Sequence, residues 1–422
     1  MANPQPILTR KTVIFAELEQ ETDTVASWNA GTRTITLNGG SWLSTADSQI
    51  GKEVIVYDGV PSSASGASAN VRTVIQDNTD TSTKTIQLLE APSFTPASSD
   101  VVVVPDYARS TVDPSATATN AILCTLPELT FNGELLARDY TRKSLTHIQS
   151  RMGNRSINIA FSVEIKGAGG GGGSALPTLN KLDPLLKACG FGRVDNPSGS
   201  NYNRVYTPSS EGFESCCIDV FADGLKYTLR GCVGNATFKL AQGQIPMIDF
   251  EFSALYADAT DVAIPSATYS TEQPKVVTRA ELSVGSSTDV PASSVEFGLN
   301  SEISEYLNMS MQSASPSHER FMITSRAPSG TFNPQAVLTG DEAWVAAWAA
   351  GDTLGEIKVY VGLNSSGTVQ AGETIEFKMP TKSQASSITL GDDGGIRRHD
   401  IGFNIATALA DGGDNDLTIT MY

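Results

Sequence analysis

A strict two-residue alternation of apolar and polar side chains constrains this chain more than any other feature. Ile157, Ile159, Phe161, Val163 and Ile165 alternate with Asn158, Ala160, Ser162 and Glu164. The pattern returns in Phe238 and Leu240, in Ile248, Phe250 and Phe252, in Ile375, Phe377 and Met379, and in Ile401, Phe403 and Ile405. Successive side chains of a strand point to opposite faces, so such runs make half-buried strands of mainly antiparallel sheets. Helix signals are few. Asp183-Pro184 reads as an N-cap followed by Pro at the first helical position, with Leu185, Leu186 and Cys189 on one face and Gly190 as the stop. The second is Thr339 to Ala350, with Asp341 and Glu342 in its first turn and Trp344, Val345 and Trp348 as an apolar stripe.

The two helices stand in matching contexts, which predicts an internal repeat. The first copy runs strand Ile157–Ile165, Gly-rich loop, helix, strand Ser215–Ala222, a hairpin through Asp223-Gly224, then Ala236–Leu240 and Pro246–Leu255. The second runs strand Arg320–Ser325, loop, helix, strand Glu356–Leu363, strand Thr374–Met379, then Ser387–Leu390 and His399–Ala406. With one single-residue gap, Leu240, Ile245, Asp249, Phe250 and Phe252 match Leu390, Ile396, Asp400, Ile401 and Phe403. Residues 24 to about 107 differ: they are rich in Ser, Thr, Gly and Asp, with short strands at Thr34–Leu37, Glu53–Tyr57, Arg72–Ile75, Lys84–Leu88 and Val101–Val104. Such a stretch is tolerated as an insertion because loop-closure entropy grows slowly with length. The expected fold is therefore all-β: two tandem β-sandwich/barrel modules (1–23 with 108–262, and 263–422), each with a flanking helix, plus a small inserted β-domain over 24–107.

Composition narrows the function. Net charge is −17, from 46 acidic and 29 basic residues, and such a surface repels nucleic acid instead of gripping it. No run of about 18 apolar residues exists, so no membrane span is expected. Met1 to Glu21 has no signal-peptide apolar region, and folding in a cytoplasm is expected. Cys124, Cys189, Cys216, Cys217 and Cys232 lack paired CxxC spacing and read as small buried apolar side chains. His147, His318 and His399 accompany no GxSxG elbow. The Gly169–Gly173 run lacks the Gly-Lys-Ser/Thr ending of a phosphate cradle. Asp411, Asp414 and Asp416 miss the EF-hand spacing and read as a polar turn. Asp249 and Glu251, two apart on a strand, have no aromatic on their own strand face to hold a sugar and read as a solvated face. No catalytic residue, cofactor or metal is expected.

Several segments resemble a known family. The opening Leu8-Thr-Arg-Lys-Thr-Val-Ile-Phe-Ala-Glu-Leu-Glu19 and Thr119-Asn-Ala-Ile-Leu123 resemble the start of tail tube proteins of long-tailed bacteriophages. Arg155–Lys166, Leu185-Leu186-Lys-Ala-Cys-Gly190, Tyr206-Thr-Pro, Phe213-Glu-Ser, Asp223-Gly224, Gly231-Cys232 and Pro246–Tyr256 follow in family order. Thr324–Gly330 and Gly412–Ile419 continue the likeness, which covers residues 6–22 and 111–422.

The resemblance implies a β-sandwich flanked by a helix, with inner sheets joined into one barrel around a lumen. It implies self-assembly: six sandwiches per ring, hence three chains of two sandwiches in a pseudo-hexamer, or alternatively six chains. Roughly 24 strands at about 4.8 Å spacing and about 40° tilt give a backbone barrel about 48 Å across and a bore of about 35–40 Å. DNA would pass through this lumen without specific binding during genome ejection. The tape-measure and tail terminator proteins would be partners. The chain would reside in the virion tail after assembly in the host cytoplasm. A long loop would stack one ring on the next. The expected loop in the first copy is Gly133–Gly153, with Arg138, Asp139, Arg142, Lys143, His147 and Arg151; in the second it is Ser304–Glu319, with Glu305 and Glu319. Lumen-facing residues are expected among Glu164, Asp249, Glu251, Asp400 and Asn404, which share the polar faces of their strands. The alternatives are another virion or secretion-tube component, such as a terminator or fibre module, and a hydrolase or glycan-binding virion surface protein acting through 24–107.

Overall fold

The structure is a computed structural model. It describes residues 11–422 except 40–52, 58–69, 78–83, 93, 99, 106–111, 145, 173–174, 180, 197–201, 211, 278–280, 286, 288–289, 308–319, 339–343, 365 and 408–412. The described chain is all-β apart from two short helices and two single 3-10 turns.

Eight strands form one continuous row. They are β1 (Glu128–Leu136), β2 (Arg151–Glu164), β3 (Leu225–Ala241), β4 (Met247–Leu255), β5 (Ala292–Gly298), β6 (Ser329–Pro334), β7 (Gln384–Asp393) and β8 (Ile396–Asn404). Their pairing runs β1-β2-β4-β3-β5-β6-β8-β7, with every neighbouring pair antiparallel. One pairing order, first-second-fourth-third, therefore occurs twice side by side. The halves meet where β3 pairs β5, in the register Thr237–Gly298, Phe238–Phe297, Lys239–Glu296, Leu240–Val295 and Ala241–Ser294.

A six-stranded sheet covers one face of this row, in the order Phe191–Asn196, Asn203–Pro208, Thr418–Met421, Ile375–Met379, Ile357–Val361 and Glu281–Val284. It too crosses the halves, because Tyr206 pairs with Ile419. The alternating apolar positions seen in the sequence all turn inward between the sheets. Phe238, Phe297 and Phe377 pack as one aromatic group with ring centroids 5.2–5.3 Å apart, uniting three strands from both halves. One contiguous core thus serves both halves.

Strands Thr12–Leu18 and Cys216–Ala222 continue the first half around its side. Thr12–Leu18 pairs Cys216–Ala222, which pairs the first part of β3. The circuit returns through residues 121–125: Ile122 pairs Ile14, Cys124 bridges Val163, and the Thr125 amide donates to the Ser162 carbonyl at 2.9 Å. Four of the cysteines are buried there as free thiols and Cys124 is half-buried, the small apolar role expected of them.

Residues 20–105 form a separate closed barrel, in the order Gln20–Asn29, Thr34–Leu37, Thr85–Leu88, Asn70–Asp77, Glu53–Tyr57 and Val101–Pro105. It has its own core, including Val25, Ile35, Val54, Ile86 and Val102. The chain enters it at Glu19, a fully buried carboxylate that accepts the Gly231 amide at 3.0 Å and the Ser215 hydroxyl at 2.6 Å.

Several local expectations are corrected. Asp183 does not cap its helix; it is the first residue of Asp183–Ala188, and Leu182 is the N-cap. Its carboxylate instead accepts from Arg193 at 2.7 Å and from the Tyr206 hydroxyl at 2.9 Å. Arg193 continues to Asp195 at 3.2 Å, which holds Arg204 at 2.6 Å. Burial alone would raise the Asp183 pKa, yet Arg193 and Lys187 hold it below the usual carboxylate range. This network fixes the helix against the Phe191–Pro208 hairpin that carries the outer sheet across the halves. Truncating Asp183→Ala leaves Arg193 short of a buried counter-charge and should destabilise the fold by about 3 kcal/mol, read as a lowered thermal midpoint. An unchanged midpoint would contradict the structural role.

The second helix is described from Trp344 to Ala350, and Thr339–Ala343 lies outside the described residues. Of its expected stripe only Trp344 is buried, edge-on to Phe332; Val345 and Trp348 are exposed. The strand Arg320–Arg326 is not the counterpart of the 157–165 run. It pairs with Ser301–Tyr306 as a hairpin, and β6 takes the place between β5 and β8 that β2 takes between β1 and β4. The match of Leu240 with Leu390 also shifts. Ile248 pairs Phe238, and the residue matching Ile248, His399, pairs Leu390. Phe238 is therefore the counterpart of Leu390. The cause is turn length: β7 and β8 pair up to a two-residue Gly394-Gly395 turn, whereas β3 and β4 stop pairing at Lys239–Met247.

Candidate functional site

The eight-stranded sheet has one covered and one open face. Glu164, Asp249, Glu251, Asp400 and Asn404, from three separate strands, all fall on the open face, since their strand neighbours Val163, Ile248, Phe250, Phe252, Ile401 and Phe403 are buried on the other. Two carboxylates not foreseen join them: Glu128, paired with Ala160, and Glu296, paired with Lys239 and Thr331. Ser, Thr, Asn and Gly fill most of the remaining open-face positions, for example Asn158, Ser162, Thr237, Thr331 and Gly402. Lys239 bonds Asp249 at 2.7 Å, and that bond, with Glu296 and Glu251 nearby, raises its pKa against the effect of burial. Burial works to raise the Asp249 pKa, but Lys239 and Ser162 together hold it below the usual range. The open face is a polar, largely acidic surface.

Both edges of the sheet expose apolar side chains. On the β1 edge Leu126 is 62% exposed and Phe131 53%; on the β7 edge Leu390 is 63% exposed. Leu129, Phe131 and Leu390 occupy core-face positions, because their ladder partners Ile159, Ile157 and His399 lie in line with the buried side chains. The far end of β7 is closed off: Trp348 Nε1 donates to the Ser386 carbonyl at 3.4 Å and Thr353 bridges Gln384. Sequence alternation could not separate these edge residues from core ones, because both carry the same period.

β1 and the first half of β2 extend beyond the sheet as a hairpin arm, in the register Arg151–Leu136, Met152–Leu135 and Arg155–Gly133 with a bulge between. The expected 133–153 loop spans residues 137–150, and its ends, 133–136 and 151–153, belong to the strands of the arm. Arg138, Asp139, Arg142, Lys143, His147 and Arg151 are all exposed on it. Leu135, Leu136, Tyr140 and Met152 are exposed beside them, with the Arg138 guanidinium 5.7 Å from the Tyr140 ring centre. A second arm, Ser301–Tyr306 with Arg320–Arg326, precedes β6 as the first precedes β2. Glu305 lies on a strand of it, exposed, and not in a loop; Glu319 and His318 lie outside the described residues. β2 and β6 run in the same direction, three antiparallel steps plus one apart, so both arms leave from the same end of the sheet. At the foot of the second arm Arg326 bonds Asp414 at 2.8 Å and Asp416 at 3.2 Å, so these two aspartates form an anchored polar turn; Asp411 lies outside the described residues. His399 is within β8, not at its start.

The family model for phage tail tube proteins matches residues 66–421. The chain belongs to the phage tail tube protein family. A comparison with curated proteins found no match. The family match begins inside the 20–105 barrel and covers both arms, both edges and the open face, so this tail tube protein is a structural component of a phage virion tail. Among the described residues no helix is long and apolar enough to cross a membrane.

Proposed function

We propose that three copies of this tail tube protein close edge to edge into a ring, and that rings stack into a tube whose lumen conducts DNA at genome ejection. The β3–β5 junction inside the chain carries this reading, because it is a worked example of the contact a second copy would make. Phe252 pairs Ile159, which pairs Leu129; the matching Phe403 pairs Gly330, which pairs Phe297. Leu129 is thus the counterpart of Phe297, as Leu390 is of Phe238. Since Phe238 pairs Phe297 within the chain, Leu390 pairs Leu129 of the next copy, with Ile388 opposite Phe131. The chain accordingly comprises two tandem modules, 1–23 with 108–262 and 263–422, and the inserted 24–107 unit decorates the outside.

Three chains of eight strands make a wall of about 24 strands, wide enough for a duplex within a bore of about 35–40 Å. A ring leaves no free sheet edge. The open face lines the lumen, and Glu128, Glu164, Asp249, Glu251, Glu296, Asp400 and Asn404 keep a polyanion from adhering. The arms stack each ring on the next. The basic tip of the first arm leaves one end of the sheet, while Glu164, Asp249, Glu296 and Asp400 lie toward the other, so ring order is head to tail. Tape-measure and terminator proteins fit the lumen and the tube's end, and assembly takes place in the host cytoplasm.

Electron microscopy of concentrated purified protein tests this, with hollow rings or tubes expected. Monomers at every concentration, with no ring in any particle, would refute it. Replacing Glu164, Asp249, Glu251 and Asp400 by Lys should leave tubes intact and slow DNA release by roughly tenfold or more, because a basic lining binds phosphate. Unchanged ejection kinetics would place this face elsewhere.

A further inference from the structure

A cavity of about 370 Å³ opens beside the β1 edge, lined among others by Ile122, Leu123, Glu164, Lys166, Leu179 and Lys181. A second cavity of about 300 Å³ lies at the internal β3–β5 junction. The two are related by the internal repeat. Shifting Leu129 onto Phe297 carries Ile122 and Leu123 onto Val290 and Pro291, and matching Ile159 with Gly330 carries Glu164 onto Gln335; Val290, Pro291 and Gln335 all line the internal cavity. At the internal junction the end of β3 and the turn after it form part of the wall, through Leu240 and Gln242 respectively. That turn is fixed by backbone bonds, Gln242 N–H to the Ser293 carbonyl and Gly243 N–H to the Val277 carbonyl, both 2.8 Å. The cavity beside β1 has no such turn among the described residues that line it.

We infer that the cavity beside β1 receives the β7–β8 turn of a second copy, with Asp392 of that copy forming an ion pair with Lys181 and Lys166. This rests on the edge-to-edge ring proposed above. Leu240 corresponds to Asp392 by the ladder that equates Phe238 with Leu390, so an uncharged side chain at the internal junction becomes a carboxylate at the external one. The receiving wall beside β1 carries Lys166 and Lys181, where the internal cavity is lined, among the described residues, by the single cation Arg398. Asp392 is exposed, and Gly394-Gly395 makes its turn tight enough to enter. Lys181 already donates to the Thr268 carbonyl, so its ammonium is held at the cavity wall. Burial first, and then the neighbouring Lys166, keep its pKa below the usual lysine range, as expected where a carboxylate would relieve it. The charge makes external closure distinct from internal pairing, which disfavours a chain joining its partner in the wrong register.

The test is ring formation, measured by sedimentation, for Asp392→Lys, for Lys166→Glu with Lys181→Glu, and for all three together. Each of the first two should raise the protein concentration needed for rings by about tenfold or more at low salt, and the combination should recover most of the loss. Thermal midpoints of the monomers should change little, since Asp392 is exposed and Lys166 and Lys181 are only half-buried. Asp392→Cys with Lys181→Cys should give an intermolecular disulfide on mild oxidation that neither single variant gives. Wild-type rings with no loss in the charge variants, or an Asp392→Cys that joins Arg142→Cys of a stacked ring instead, would overturn this contact while leaving the ring intact. A wild type that never forms rings would overturn both.

Discussion

Leu390→Asp should yield a folded chain that forms no rings. Leu390 is 63% exposed in the single chain, so the substitution removes little from the core and the monomer's thermal midpoint should hold. Across the proposed seam the same side chain is buried against Leu129. Losing that burial costs about 2 kcal/mol, and desolvating a carboxylate there costs at least about 2 more. A total of about 4 kcal/mol per seam weakens each contact roughly a thousandfold. Leu390→Met, similar in volume, should assemble within about tenfold of wild type. Phe131→Asp on the opposite edge should copy the Leu390→Asp phenotype, and mixing the two variants should leave each ring with broken seams. Rings from Leu390→Asp at wild-type concentration, seen by sedimentation or microscopy, would remove this edge from the assembly.

The second large effect concerns the first arm. Reversing Arg138, Arg142 and Lys143 to Glu should leave rings intact and stop their stacking. All three are exposed on the 137–150 loop, so no core contact is lost. One exposed ion pair is worth only about 0.2–1 kcal/mol. Three charges reversed on each of three subunits, however, turn roughly nine weak attractions per ring into repulsions, which sum to several kcal/mol at low salt. The defect should ease as salt screens it over a Debye length of about 8–10 Å. Tubes of wild-type length from this variant would refute the stacking role of the arm.

How far these surfaces could be read from sequence differs by type. Strands declared themselves where alternation was uninterrupted: Thr34–Leu37 and Glu53–Tyr57 have the bounds that turn residues and β-branched runs predict. The strand Gln20–Asn29 did not, because Glu21, Asp23 and Asn29 dilute its β signal and its order comes from the barrel that closes around it. The five open-face residues were legible, since a shared parity along each strand is a local property. Their assembly on one sheet was not, because pairing partners such as Ser156 and Leu255 are far apart in sequence. Asp183 was misread as a cap for the same reason: its partners Arg193 and Tyr206 arrive from a later hairpin, and an ion pair beats a single capping bond. The strand Arg320–Arg326 was taken for β2's equivalent because an arm and a core strand carry the same period; only the β5–β6–β8 ladder separates them. The edge residues Leu129, Phe131 and Leu390 were invisible as such, for an edge is defined by a neighbour that is missing.

A three-dimensional reconstruction of the assembled tube, at a resolution that separates strands, tests the central claim most directly. The expected map has β7 of each copy hydrogen-bonded to β1 of the next, Leu390 opposite Leu129, and an unbroken wall of about 24 strands with the acidic face inward. Subunits whose eight-stranded sheets end at their own boundaries, with no strand pairing between copies, would contradict it.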